Sequence, residues 1–476
     1  MAEKHQLQRS LGLVSATSIV AGSMIGSGIF IVTTLMARDI GSSGYMLLLW
    51  VLTGFLTMTA ALTYGELAGM MPTAGGQFVY IQRAFGRLWS FLYGWTVFTV
   101  IQTCTIAAVA VAFANYTAVF FPALETKLFE AGAYVISLKQ VLALLSILLL
   151  TYINTKGVRS GKAVQTTFTA AKLVAIFSLI FLGLYVGLQT DTLAANFADM
   201  WHPVKTGTDG SITELAGGAL VGALGAAIIN PLFSSDAWNN VTFIAGEIRD
   251  PKKNIPRSLF LGTAIVTVIY LLANLAYLSL LPLNGNPDGV SVLERGIMFA
   301  DQDRVGAAAA SVIFGNAGVL IMAGLIMVST FGCNSGLILA GGRIFYAMAK
   351  DGMFFRQAGE LNRHDVPAKA LWVQCLWASL LCFSGTYGTL IKYATFASLL
   401  FYMVTILGVF RLRKTEPQAD RPYRAFGFPA LPIIYLLVTL GICGALFLYD
   451  TVNTAVAIGV VALGVPVYYG FLKKKA

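Results

Sequence analysis

The chain has 476 residues, 57% of them hydrophobic and 11% charged, where a soluble domain carries about 25% charge. Apolar runs of span length recur from end to end, which excludes a soluble domain and gives an all-α polytopic membrane protein. The formal net charge of +10 then belongs to loop lysines and arginines facing the cytoplasm, and no nucleic-acid partner is implied.

Residues 1–10 are polar and lead into an apolar run too long for the core of a signal peptide. That first span, 11–37, contains Gly22-Ser23-Met24-Ile25-Gly26-Ser27-Gly28-Ile29-Phe30. Each glycine costs a helix about 1 kcal/mol relative to alanine, so the stretch predicts a break. A break inside a bilayer is tolerated only where it is buried in protein or lines a cavity. Its free N–H groups suit a carboxylate. The alternative is a packing seam, since Gly22 and Gly26 also read as GxxxG.

The second span, 45–69, closes on Glu66, which either pairs with a cytoplasmic arginine to shut an inner gate or is a solvated helix end. Pro72 to Gly76 forces a turn, and Gln77 to Phe85 follows as a short amphipathic piece at the inner surface. The third span, 88–120, carries Gln102, Thr103, Cys104 and Thr105, polar groups of the kind that bond a neighbouring helix. After a fourth span, 139–155, the fifth, 164–188, holds Lys172. Its ammonium either snorkels to the interface or is functional, a fixed charge standing where a bound sodium ion would otherwise sit.

The sixth span, 215–246, is interrupted by Asn230-Pro231-Leu232-Phe233-Ser234-Ser235-Asp236-Ala237-Trp238-Asn239. Pro231 removes a donor, the serines and Asp236 offer bonds to freed backbone groups, and a buried carboxylate must be paired or wet. A kinked helix without function is the plainer alternative. Breaks in the first and sixth spans mark two five-span halves, inverted repeats that meet at a midplane site.

The seventh span, 257–282, leads to an exterior segment, 284–306, with a surface helix suited to a lid. The eighth, 308–348, ends in cations that include Arg343, and the ninth and tenth cover 368–386 and 389–410. The last two, 429–448 and 452–472, lie outside the repeats and brace the fold or mediate dimer contacts. The divisions are therefore 1–10, 11–188, 189–410 and 411–476.

Twenty-four lysines and arginines fall on the N-terminal side of these spans and seven on the other, which puts both termini in the cytoplasm. All five cysteines lie in apolar segments, so neither an exterior disulfide nor a metal cluster is expected, and no cofactor is implied. The only histidines, His5, His202 and His364, are in the terminus or loops, with no HExxH. A membrane enzyme lacks its constellation, and a sensor lacks an output domain.

Taken together, the stretches at 22–30, Glu66 with 72–76, 168–173, 233–239 with 247–257, 343–352 and 421–429 resemble the amino acid–polyamine–organocation superfamily. The likeness is greatest to the L-type amino-acid transporters and their bacterial serine/threonine-exchanging relatives. The resemblance implies that the substrate carboxylate meets Ser27 and Gly28 with Gly26 beside them, and that its ammonium meets the Met24 and Phe233 carbonyls. Phe233 is then the aromatic gate, Ser234, Ser235 and Asp236 flank it, and Lys172 links the first and eighth spans. Thr105, Ser398 and Tyr402 align with side-chain pocket positions, and Glu66 and Arg343 with gating. Human members bond a heavy subunit through a cysteine between the third and fourth spans. Residues 121–138 contain none, so no covalent heavy subunit is expected, and the chain is a monomer or weak homodimer in the bilayer. The function implied is sodium-independent exchange of neutral amino acids such as serine, threonine or alanine across the plasma membrane (the inner membrane of a bacterial cell). The rivals are cationic amino-acid or polyamine transport on Asp236, and proton-coupled uptake with Asp236 or Glu66 titrating.

Overall fold

A computed structural model describes residues 11–73, 75–131, 134–384 and 387–472, without the side chains of 131, 134, 158–171, 247 and 471–472. The N-terminal division 1–10, with His5, Lys4 and Arg9, lies outside the described residues, as do Ala74 and Lys473 to Lys475; so do the side chains of Arg159, Lys162 and 168–171.

The first predicted span is two short helices, α1 (Leu13–Met24) and α2 (Val32–Ile40), with a non-helical link at Ile25–Ser27 and one tight turn at Gly28–Phe30. The glycine stretch therefore breaks. Gly26 also packs as a seam residue would, since a Cβ there would lie 3.2 Å from Cys333 Sγ. α3 (Ser43–Met70) and α4 (Gln77–Phe85) follow. The α4 helix is more buried than its amphipathic pattern suggests, with Gln77, Phe78, Tyr80, Ile81 and Ala84 all covered. The third span is α5 (Arg87–Thr96), a π-helical turn at Val97–Ile101 and α6 (Gln102–Thr117). Of its polar patch, Gln102 bonds across to Leu337 O at 2.8 Å, whereas Thr103 and Thr105 bond Phe98 O and Ile101 O of their own helix.

Next come α7 (Leu138–Thr155), α8 (Val158–Gly187) and α9 (Thr192–Ala198). The sixth span is α10 (Gly217–Ala227), α11 (Ile229–Ser234) and α12 (Asn240–Phe243). Its break falls at Ser235–Asn239, later than Pro231, with Ala237 at φ +63°. Pro231 is tolerated because it sits in the first turn of α11, where its missing donor costs little. The Asn230 side chain also takes the Ala227 carbonyl at 3.3 Å.

α13 (Pro251–Leu280) packs along α3, α1 and α8. The exterior segment forms the four-residue α14 (Val292–Arg295), fixed by a Ser291–Glu294 capping box, and a single tight turn at Asp301–Asp303 before the next helix begins at Val305. The eighth span carries a break that the sequence reading does not contain: α15 (Val305–Phe314) and α16 (Asn316–Lys350) are hinged at Gly315, φ +64°. The remaining helices are α17 (Ala368–Leu381), α18 (Tyr387–Thr415), α19 (Ala430–Tyr449) and α20 (Thr451–Val467).

Two antiparallel hairpins add to the expected all-α class, β1 (Lys127–Ala131) with β2 (Tyr134–Ser137) and β3 (Val204–Thr206) with β4 (Ile212–Glu214). The second turns on Asp209-Gly210, Gly210 at φ +83°, and Asp209 Oδ1 accepts from Ser211 N and Oγ at 3.0 and 2.7 Å.

Among the described residues nine helices are long and apolar enough to cross a membrane, or ten if Lys172–Gly187 and Thr192–Ala198, bent by 86°, count as one span. The loops gather at two ends. At the cation-rich end Arg83 pairs with Glu416 at 2.6 Å, Lys252 with Asp420 at 2.7 Å, and Asn362 bonds Thr155 O at 2.7 Å. At the cation-poor end Arg38 pairs with Asp303 at 2.7 Å, Lys392 with Asp450 at 3.1 Å, and Asn196 bonds Leu281 O at 2.9 Å. Each of these contacts joins loops that the sequence reading puts on one side.

Arg83 holds the Glu416 carboxyl below the usual carboxylate range through their hydrogen bonds. A depressed carboxylate contributes stability above its unfolded pKa and loses it as pH falls through the folded value. The pair is partly solvated, so Glu416→Gln is expected to destabilise by only ~0–1 kcal/mol at neutral pH. Thermal melts of the two proteins should draw together as pH falls from the ordinary glutamate value of about 4.3 through the lower folded one.

Candidate functional site

The broken α1–α2 backbone would leave several polar groups bare in a dry interior, and side chains from four other helices meet them. Lys172, buried on α8, donates to Gly22 O and Ile25 O, both at 2.7 Å. This excludes the snorkelling alternative. Cys333 on α16 lies 3.9 Å from Ser23 O. Tyr116 on α6 donates to Phe30 O at 2.9 Å. From α13, Tyr270 donates to Met24 O at 2.9 Å, and Tyr277 to Ile29 O at 3.2 Å. Asn274, between them, accepts from Thr33 Oγ1 at 2.9 Å. Tyr270, Asn274 and Tyr277 fall at i, i+4 and i+7, one face of the helix. They are absent from the sequence-predicted set, although that spacing was there to be read.

Tyr270 also bonds Ser234 O, at 3.1 Å, so one hydroxyl bridges both broken spans. Tyr270→Phe removes that bridge, and a lost hydrogen bond of this kind costs about 1 kcal/mol. The expected result is a several-fold weaker substrate affinity with expression retained, read from the concentration dependence of uptake.

The two breaks touch. A Cβ on Gly28 would lie 2.1 Å from Ser234 Oγ, so only glycine allows this approach. Among the described residues the N–H groups of Gly26, Ser27 and Gly28 have no acceptor, and Ser234 Oγ is buried without a partner. Ser27 Oγ lies 3.4 Å from the Tyr387 hydroxyl, and the Phe233 ring packs edge-on against Tyr387 with centroids 6.0 Å apart. The Phe233 carbonyl accepts from Asp236 N at 3.1 Å. Three unbonded N–H groups and the Ser27 and Ser234 hydroxyls thus lie about the contact of the two spans, with the Met24 carbonyl tied to Ser234 O through Tyr270 and the Phe233 ring against Tyr387. Tyr387 is a further residue the sequence reading did not contain.

Asp236, Thr105, Ser398 and Tyr402 form a second group. They line a cavity of about 30 Å³ with Gln77, Gln102 and Asn239. Asp236 and Ser398 also line a neighbouring one of about 20 Å³ with Ser235. The Tyr402 hydroxyl donates to Asp236 Oδ1, and no cation pairs with this carboxylate among the described residues. A site for a small molecule needs some ~300 Å³, so the structure is closed around a water-sized space. Ser27 and Gly28 do not line either cavity.

Toward the cation-rich end the Tyr64 ring packs edge-on against Trp238 and Tyr402, which are tilted against each other, with centroids 4.8 to 5.9 Å apart. Gln77 ties α4 to Phe401 O and Thr405 Oγ1, both at 3.0 Å, and accepts from Asn239 at 3.2 Å. Beyond them Glu66 is fully buried, against the solvated-end alternative. It accepts from Arg413 Nε and Nη2 at 2.9 and 2.6 Å and from Ala425 N at 2.8 Å, and Arg421 Nε lies 3.3 Å away. The Arg413 guanidinium stacks on Phe428 at 3.6 Å. The arginines at Glu66 are Arg413 and Arg421; Arg343, expected at the gate, is half-buried on α16.

Residues 11–471 match the family described as Amino acid permease. The chain is 30% identical to the large neutral amino acids transporter small subunit 2 of Homo sapiens, over 97% of this chain and 80% of that one. It is 29% identical to the serine/threonine exchanger SteT of Bacillus subtilis, over 100% and 99% of the two. It is also 30% identical to the b(0,+)-type amino acid transporter 1 of Mus musculus, over 91% and 82%.

Proposed function

Because the chain belongs to the amino acid permease family, we propose that it exchanges neutral L-amino acids such as serine, threonine or alanine, without sodium, by alternating access. The observation that carries this reading is the first break. Free N–H groups at Gly26, Ser27 and Gly28 suit a carboxylate, while Lys172 holds Gly22 O and Ile25 O with a fixed positive charge where a bound cation would otherwise be needed. The Met24 and Phe233 carbonyls then take the ammonium, with Phe233 and Tyr387 as the outer aromatic gate. Glu66, Arg413 and Arg421 form the inner one. Small cavities at Asp236 require the sixth-span side to move before a substrate enters, as rocking of one bundle against the other provides.

The remaining topology is part of the same proposal: twelve spans, inverted five-span repeats over 11–188 and 189–410, and peripheral helices after 411. The cation-rich end faces the cytoplasm with both termini, in the plasma membrane, as a monomer or weak homodimer without a covalent heavy subunit.

The test is uptake of radiolabelled L-serine into proteoliposomes loaded with unlabelled serine or left empty, with and without sodium. Uptake confined to loaded vesicles and indifferent to sodium supports exchange. Uptake into empty vesicles that needs sodium or a proton gradient overturns it. A second reading, cationic amino acids or polyamines, is favoured by Asp236, a carboxylate with a hydroxyl partner and, among the described residues, no cation. Asp236→Asn should then abolish lysine uptake by tenfold or more and spare serine; equal loss of both rejects that reading.

A further inference from the structure

At the cation-poor end a cavity of about 420 Å³ opens between the turn that follows α6, the segment running from Val290 to α15, and the start of α16. Ordinary small-molecule sites span ~300–1,000 Å³, so this space takes a ligand as it stands, whereas the cavities at Asp236 do not. Its inner walls are small and apolar, with Ala118 and Val119 on one side and Ala307 and Ala308 on the other.

The mouth is charged in both senses. Arg295 and the largely buried Arg304 stand beside Asp301 and Glu125. Arg304 bonds Asp301 O and Asn115 O, both at 3.2 Å, and the Asp301 carboxylate. Arg295 bonds Gly289 O at 2.7 Å, with Nη1 3.8 Å from Asp301 Oδ1. A guanidinium has five N–H donors, so each arginine keeps donors to spare among the described residues. Guanidinium donors match a carboxylate, the two acids match an ammonium, and the apolar walls match a hydrocarbon side chain.

We propose that this cavity is a second binding site, separate from the broken spans, for α-amino acids with apolar side chains. The site is one layer from the first break. Gly306, beside Ala307, is so close to Phe30 that a Cβ would lie 2.9 Å from its ring, and Tyr116, two residues before Ala118, bonds Phe30 O. An amino acid held here stiffens that wall and slows exchange at high substrate concentration.

The test is equilibrium binding of radiolabelled L-leucine to the purified full-length chain up to millimolar concentration, which needs no flux and so stands apart from the exchange reading. Ala308→Phe and Val119→Phe fill the cavity from opposite walls, and Arg295→Ala removes a carboxylate partner. The expected result is a leucine site that both cavity-filling variants abolish and that survives Gly28→Ala. Arg295→Ala should weaken it at least about tenfold, the loss of a charge-assisted bond. Leucine binding that is unchanged in both cavity-filling variants overturns the proposal. So does octanoate displacing the bound leucine as well as unlabelled leucine does, which would make the site one for carboxylates with apolar tails and not for α-amino acids.

Discussion

Lys172→Ala is expected to lower substrate uptake by at least about tenfold, with the protein still inserted. The ammonium makes two 2.7 Å bonds to Gly22 O and Ile25 O in a buried setting. Removing it leaves both carbonyls without that donor, and a buried polar group left unpaired costs ~1–3 kcal/mol. The first span is broken only because such donors satisfy it, so the link at Ile25–Ser27 shifts and the N–H groups of Ser27 and Gly28 lose their aim. A loss of about 1.4 kcal/mol in substrate binding is already tenfold. Lys172→Arg should not rescue, because a planar guanidinium does not fit a point-charge site between two carbonyls. Uptake by the alanine variant that recovers on adding sodium would support the ammonium as a fixed cation. Full activity without sodium would remove Lys172 from the mechanism.

Gly28→Ala is expected to abolish uptake. The added carbon would meet Ser234 Oγ at 2.1 Å, its Cβ at 2.9 Å and its Cα at 3.0 Å. A hydroxyl rotates away from such a contact, but the last distance is to backbone, so the two broken spans must separate. Forcing a methyl into a packed interior costs roughly 1–3 kcal/mol, and here the displacement is taken at the meeting point of the two breaks. Ser234→Gly removes the two side-chain contacts and leaves only the one at the Cα. The double variant should therefore recover part of the uptake lost by Gly28→Ala, beyond what the single effects sum to. A double variant as inactive as Gly28→Ala would show that the clash lies elsewhere, and an active Gly28→Ala would refute the close approach itself. Both are read by uptake per folded protein, with thermal stability as the control.

The broken spans were legible because their causes are local. Three glycines between residues 22 and 28, and Pro231 with the polar run behind it, weaken a helix wherever they stand. The position of the second break was less legible. Pro231 reads as the stop, yet it falls in the first turn of α11, and the chain departs from the helix only at Ser235–Asn239. The eighth-span hinge at Gly315 was hidden because one glycine in an apolar run is compatible with a continuous helix. Glu66 was legible as a residue needing an arginine. Which arginine was not, because Arg413 and Arg421 lie some 350 positions away in sequence and reach Glu66 only through the packing of α18 and the loop after it.

By itself the sequence determined that this chain is a multi-pass membrane protein and that its first and sixth spans are interrupted, and its charge pattern grouped the loops into a cation-rich and a cation-poor set. Each of these follows from hydropathy, helix propensity or charge within a few dozen residues. The tertiary structure alone decided what satisfies the broken backbone: Lys172, Tyr270, Tyr277 and Tyr116 come from three other helices, and hydrogen-bond partners distant in sequence are chosen by packing. It also decided that Thr105, Ser398 and Tyr402 gather around Asp236 rather than around Ser27 and Gly28, since the direction of a side chain is fixed by how helices are rotated against one another.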